Sequence, residues 1–252
     1  MFDLQKASVW KRASAYLLDW ILLGILAVGF VFFISYLVGY DGYSERLQEY
    51  YSAYETDYGI TFSITEEEYG ALSTEERQRY DDAYAAIQAD TGVMETFATV
   101  MRLSVLMVTF GVLFAYLVLE FLVPLLFGNG QTIGKKVFGL AVIRREGVRL
   151  SPPLLLVRTL LGKYTIETMI PVFIGFLIFF GGLGILGLVV LGGMLLLQII
   201  LLVRTENNSA IHDLLAQTVV VDMESQMIFD SEQEMLAYKE QAQAERAARQ
   251  PY

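Results

Sequence analysis

Arg12 and Asp19 stand seven residues apart in "KRASAYLLDW", at the mouth of an apolar run with no further charge until Asp41. On a helix, residues i and i+7 lie nearly one above the other, so Arg12, Tyr16 and Asp19 share one stripe. The axial rise from Arg12 to Asp19 is about 10 Å, too far for an easy direct ion pair, so each needs partners on another helix or in water. Glu120 places a carboxylate in a second apolar run, about two turns from its end and so at a matching depth. Charged groups inside a span are costly, usually face the bundle interior or a wet cavity, and by default suggest an ion or proton path. Two carboxylates could hold a monovalent cation such as sodium. One could instead hold a proton near neutral pH, because a low dielectric disfavours the charged form; Arg12 would be the charge that tunes either. The structural alternative is that Arg12 and Lys11 snorkel to lipid phosphates while Asp19 caps a network between helices. Glu167, where a third span is expected to begin, reads as solvated at the interface.

Those residues must be carried by membrane helices. The chain has 252 residues, 55% of them hydrophobic, and a mean hydropathy of +0.47, too apolar for an ordinary soluble domain. Spans are expected near Ala13–Val38 and Thr99–Phe127, each long enough for about 30 Å of hydrocarbon. The uncharged stretch from Thr168 to Val203 suits two helices, near 164–181 and 185–203. "GGLG" at 181–184 is the turn between them, since glycine accepts positive φ. Pro171 could kink the shorter helix, which leaves a re-entrant segment open. Lys6, Lys11 and Arg12 resemble a signal-peptide n-region, but the run behind them is too long and contains Asp19, so it reads as a retained first span.

Charge is sharply partitioned. Residues 128–163 carry Lys135, Lys136, Arg144, Arg145, Arg149, Arg158 and Lys163 against Glu146, whereas residues 39–97 carry fourteen acids against three arginines. By the positive-inside rule the basic loop and both termini are expected in the cytoplasm and residues 39–97 outside. The expected fold is therefore an all-α polytopic bundle of four spans with an extracytoplasmic helical insertion. Its segments are 1–38, 39–97, 98–127, 128–163, 164–204 and 205–252. In the insertion, Leu47, Tyr50, Tyr54 and Tyr58 mark one helical face. "TEEE" at 65–68 and "STEE" at 73–76 fit capping boxes, the second opening a helix from about Thr74 to Asp90. A mobile solvated insertion is the alternative. "SEQE" at 231–234 opens a tail helix that reads as solvated, its apolar stripe being weak.

Other chemistries fare poorly. "GNGQTIGKK" has three residues between Gly130 and Gly134, not the four of a P-loop, Lys135 is followed by Lys136, and the element follows an apolar helix. Nucleotide binding is rejected on those grounds. His212 is the single histidine and cysteine is absent, so no triad, thiol nucleophile or metal cluster suggests itself. His212 reads as a structural cap. No enzyme, cofactor or nucleic-acid partner is expected, and no GxxxG pair inside a span argues for dimerisation.

"SVWKRASAYLLDW", "GNGQTIGKKVFGLAVIRREG", "LVRTLL" and "IHDLLAQTVVV" together resemble the RDD family of membrane proteins, over roughly residues 7–38 and 98–221. The resemblance implies that Arg12 and Asp19 are the family's arginine and first aspartate and Asp213 a second. It likewise makes Gly130, Gln131, Thr132, Gly134, Lys135 and His212 motif residues. It also implies either monovalent cation/proton antiport or a role in assembly. The 39–97 insertion and the acidic tail go beyond the family pattern. Two expectations follow: a small cation- or proton-coupled transporter using Arg12, Asp19 and Glu120, oligomeric and in the cell membrane, or a membrane scaffold that binds a partner protein through its outer cap and tail.

Overall fold

The computed structural model describes residues 7–205 and 208–249; Lys6 lies outside them. Four helices are long and apolar enough to cross a membrane: α1 (Val9–Val38), α5 (Thr91–Phe127), α7 (Pro152–Phe179) and α8 (Gly184–Arg204). Their boundaries follow local chemistry. The helix α1 stops at Gly39 with φ 65. The helix α5 starts where the Asp90 carboxylate accepts the N–H groups of Gly92 and Val93 at 2.8 and 3.3 Å; it ends at Gly128 with φ 81. Pro152 and Pro153 open α7, where a missing N–H costs no helical bond. Gly181 and Gly184 turn the chain between α7 and α8 with positive φ. Large apolar side chains such as Trp10, Trp20, Phe32, Phe179 and Ile185 are exposed, so these helices present lipid-compatible surfaces and bury little between themselves.

Two features differ from expectation. The third span begins at Pro152 rather than near residue 164, because Arg158 and Lys163 belong to the helix and are buried in it. An antiparallel ribbon also joins β1 (Leu140–Arg144) to β2 (Thr218–Asp222), with Val142 opposite Val220. Both strands alternate between two buried faces. Leu140, Val142 and Val220 pack with Ala7 and Ala15, while Ala141, Ile143, Val219 and Val221 form the other face. Runs of β-branched residues suit such a pleated, buried pair.

The described chain divides into two compact units, one of residues up to Ala27 and from Val112 on, the other of Val28–Gly111. The second contains α2 (Tyr40–Tyr58), α3 (Glu66–Ala71) and α4 (Thr74–Ala89). Both expected capping boxes are present, at Thr65/Glu68 and Ser73/Glu76. Phe62 packs edge-on against Tyr51 and Tyr80, and Tyr54 donates to Asp90 at 3.0 Å. The insertion is therefore structured, not a plain solvated loop.

The first unit adds two single-turn helices, α6 (Ile133–Val137) and α9 (Ile211–Leu215), and the tail helix α10 (Glu232–Arg249). The start of α10 is docked rather than solvated. Met235 is buried with Val148 and Phe229, and Arg144 holds Glu232 at 2.6 Å.

Candidate functional site

Within the first unit, two stretches of helix widen to i→i+5 hydrogen bonding: Leu117–Leu122 in α5 and Val157–Met169 in α7. Such π segments frequently mark functional sites. Residues five apart line up in this register, which brings Arg158 and Lys163 to one buried face, 1% and 4% exposed. Glu120 lies on the shorter π stretch, 5% exposed, and Thr159 donates to its backbone carbonyl at 2.8 Å. The two widened segments are thus fastened to each other.

Asp19 is held by the glycine-rich loop. Thr132 Oγ1 donates to one carboxylate oxygen at 2.5 Å and the Gly134 N–H to the other at 2.7 Å. Lys135 Nζ lies 3.5 Å away. Thr132 also caps α6 by accepting the Lys135 N–H at 3.3 Å. The phosphate-like look of "GNGQTIGKK" now has a cause: its free N–H groups do receive an anion, and that anion is the chain's own Asp19. Gly134 must be glycine, since a Cβ there would collide with the Ala15 carbonyl and lie 2.8 Å from the Asp19 carboxylate. Gly130 has φ 60 and approaches the Val142 carbonyl, while Gln131 donates to the Leu140 carbonyl at 2.7 Å. The motif thus ties the ribbon to α1 through backbone contacts.

Arg12 does not join Asp19 and Glu120. Its guanidinium reaches Asp213 at 3.4 Å, and Arg158 binds the same carboxylate through Nε and Nη2 at 3.2 and 2.9 Å. Thr218 Oγ1 and the Ala210 N–H complete five donors to Asp213. Burial raises the Asp213 carboxyl, but His212 beside it and the Arg158 and Arg12 guanidiniums hold it below its usual range. Lys11 pairs with Asp222 at 2.6 Å.

Glu120 pairs with Lys163 through Oε1. Its other oxygen, Oε2, is buried and, among the described residues, has no hydrogen-bond partner. Glu167 is not an interfacial residue: both its oxygens face His212 Nδ1, at 2.7 and 2.9 Å, with the His212 N–H at 3.0 Å. Burial lowers the His212 pKa against the raising pull of Asp213 and Glu167, which favours the neutral ring near pH 7, and Nδ1 is the nitrogen that faces Glu167. Gly162 allows this contact, because a Cβ there would meet His212 Cβ at 2.5 Å.

With His212 neutral, four buried or half-buried bases face four acids and the cluster sums to zero charge. Asp19 and Glu120 both line one cavity of about 220 Å³, together with Tyr16, Tyr116 and Glu167. The cluster contains no metal-type grouping of three or more His, Asp or Glu among the described residues. The partners that sequence reasoning missed are Arg158 and Lys163. Their spacing of five in "LVRTLLGKYTI" is the signal, legible only if the helix is read as π.

A family model described as the RDD family matches residues 6–217. The chain belongs to the RDD family. The matched stretch includes Arg12, Asp19, Glu120, Arg158 and Asp213, so every charged member of the buried network lies inside the RDD region, while Thr218 and the tail helix lie just beyond it. No curated protein matches the chain, and no solved structure does.

Proposed function

We propose that this RDD protein is a small transporter that exchanges a monovalent cation for a proton, with its ion site in the cavity between Asp19 and Glu120. The observation that carries the reading is the unpartnered, buried Glu120 Oε2 beside that cavity. An oxygen acceptor in that position costs about 1–3 kcal/mol until a proton, water or cation satisfies it. The cavity has room for about seven waters at roughly 30 Å³ each, enough for a partly hydrated cation. The roles differ from those the sequence suggested. Asp19 is already saturated by Thr132 and Gly134, so Glu120 is the ion-facing acid and Asp19 the anchor. Arg12, committed to Asp213, positions the scaffold.

Neutrality supplies the exchange. A cation entering a cluster of zero net charge in a low dielectric is costly unless a positive charge leaves. Lys135 is the base readiest to release one: burial, then repulsion from Lys163, lowers its pKa to about 8 against the pull of Glu120 and Asp19, and Arg158 adds to the repulsion. Cation uptake should therefore strengthen as pH rises through about 8. In this reading the protein sits in the cell membrane with its basic loop and termini cytoplasmic, and is oligomeric because four short spans rarely enclose a pathway alone. Purified protein in vesicles with opposed sodium and pH gradients tests it. Coupled flux lost in Glu120→Gln is expected. Flux unchanged by that substitution refutes the site, and no flux in the unmodified protein refutes transport.

A second reading, a scaffold for a partner membrane protein, is favoured by α2, which buries none of its residues although it is rich in tyrosine. Deleting residues 42–95 should then abolish co-purification of the partner; retention counts against it.

A further inference from the structure

A second cavity of about 310 Å³ adjoins the first, with Tyr16 and Lys163 lining both. The two differ in sign. Three carboxylates (Asp19, Glu120, Glu167) and one ammonium line the first. Four cations (Arg12, Lys135, Arg158, Lys163) and one carboxylate, Asp213, line the second. The Asp19–Lys135 pair thus turns its acid to one cavity and its base to the other, while Lys163, paired with Glu120, borders both. Asp213 is the exception among the acids, and two guanidiniums converge on it. A cavity so lined selects anions, and arginine pairs are matched in shape to planar or tetrahedral oxyanions.

The remaining lining narrows the ligand. Gln198 and Asn208 add neutral polar groups, while Val9, Leu202 and Val220 supply an apolar side. Val9 opens α1 and Leu202 lies in the last turn of α8, so the cavity stands at span ends, the level at which phospholipid headgroups lie. Its volume falls at the lower limit of small-molecule sites, large enough for a phosphate group with a short apolar attachment.

We propose that this second cavity binds a phosphate oxyanion, supplied by an anionic phospholipid headgroup or as free inorganic phosphate. The site does not depend on ion transport by the first cavity, and its test reads binding alone. Full-length protein in neutral detergent is titrated with inorganic phosphate against chloride at equal ionic strength. In a second arm it is incubated with phosphatidylglycerol or, as a zwitterionic control, phosphatidylcholine, and bound lipid is counted by native mass spectrometry.

One phosphate or one phosphatidylglycerol per chain is expected, with phosphate alone pointing to the free ion and phosphatidylglycerol alone to lipid. Arg12→Gln should weaken that binding about tenfold, the share of one charge-assisted contact. Leu202→Trp, which fills the apolar side without removing a charge, should weaken it as well and serves if Arg12→Gln does not fold. Binding no stronger than that of chloride and phosphatidylcholine overturns the proposal, as does binding that neither substitution changes.

Discussion

Asp213→Asn removes the charge on which five donors converge. The asparagine keeps one acceptor oxygen and turns an NH₂ group toward guanidiniums that also donate. Arg158, 1% exposed, is then a buried cation without its counter-ion. Breaking a buried pair from one side costs about 3–5 kcal/mol. Arg12→Gln perturbs the same carboxylate far less. Its contact with Asp213 is long, at 3.4 Å, and Arg158 remains to neutralise Asp213, so the cost of losing that contact is about 1 kcal/mol, the net worth of one long hydrogen bond. For a chain of this size each kcal/mol shifts the unfolding midpoint by about 2–4 °C. Asp213→Asn should therefore lower the midpoint by roughly 6–20 °C and Arg12→Gln by no more than about 4 °C. Thermal unfolding in detergent, followed by the fluorescence of Trp10 and Trp20 at two scan rates, gives both numbers. Replacing Arg158 and Asp213 together by leucine should recover part of the loss, but not all, because Thr218 and the Ala210 N–H also lose their acceptor. Equal losses in Asp213→Asn and Arg12→Gln, or no loss in the former, would refute the assignment of Asp213 as the centre of the network.

The neutral, buried His212 makes stability pH-dependent. Its folded pKa lies below 6.5, so below that pH the unfolded chain binds the extra proton and stability falls with acidification. The midpoint should drop between pH 7.5 and 5.5, and His212→Gln should flatten the drop; an unchanged slope would exclude His212 as its source. Gly134→Ala should abolish accumulation of folded protein, since its Cβ has no room beside α1, whereas Gly175→Ala, with nothing within 4 Å, should be silent. Size-exclusion profiles of the two variants compare them directly.

Much of this architecture was written in local chemistry. Apolar runs gave the four spans, glycines gave the turn at 181–184, and serine or threonine followed by glutamate gave both capping boxes. Arg12, Asp19 and Glu120 were visible because charge inside an apolar run is expensive. Their pairing was not. Arg12 meets Asp213 across 201 residues and Asp19 meets Gly134 across 115, separations that no local pattern encodes. Arg158 and Lys163 read as loop residues because they belong to the basic run of 128–163, whereas the π register of the helix brings them to one face. The ribbon was hidden for a related reason: "LAVIR" and "TVVVD" are short apolar runs whose pairing depends on a partner 74 or more residues away.

The β1–β2 ribbon also sets an order of events during synthesis. Its second strand and Asp213 leave the ribosome only after the last span, so Arg12 and Arg158 enter the bilayer region before their carboxylate exists. A nascent chain halted at Arg204 has all four hydrophobic segments and would pass any test of greasiness, yet its Arg158 lacks the carboxylate that neutralises it. The charge network and the ribbon therefore close together, and only after every span has been made.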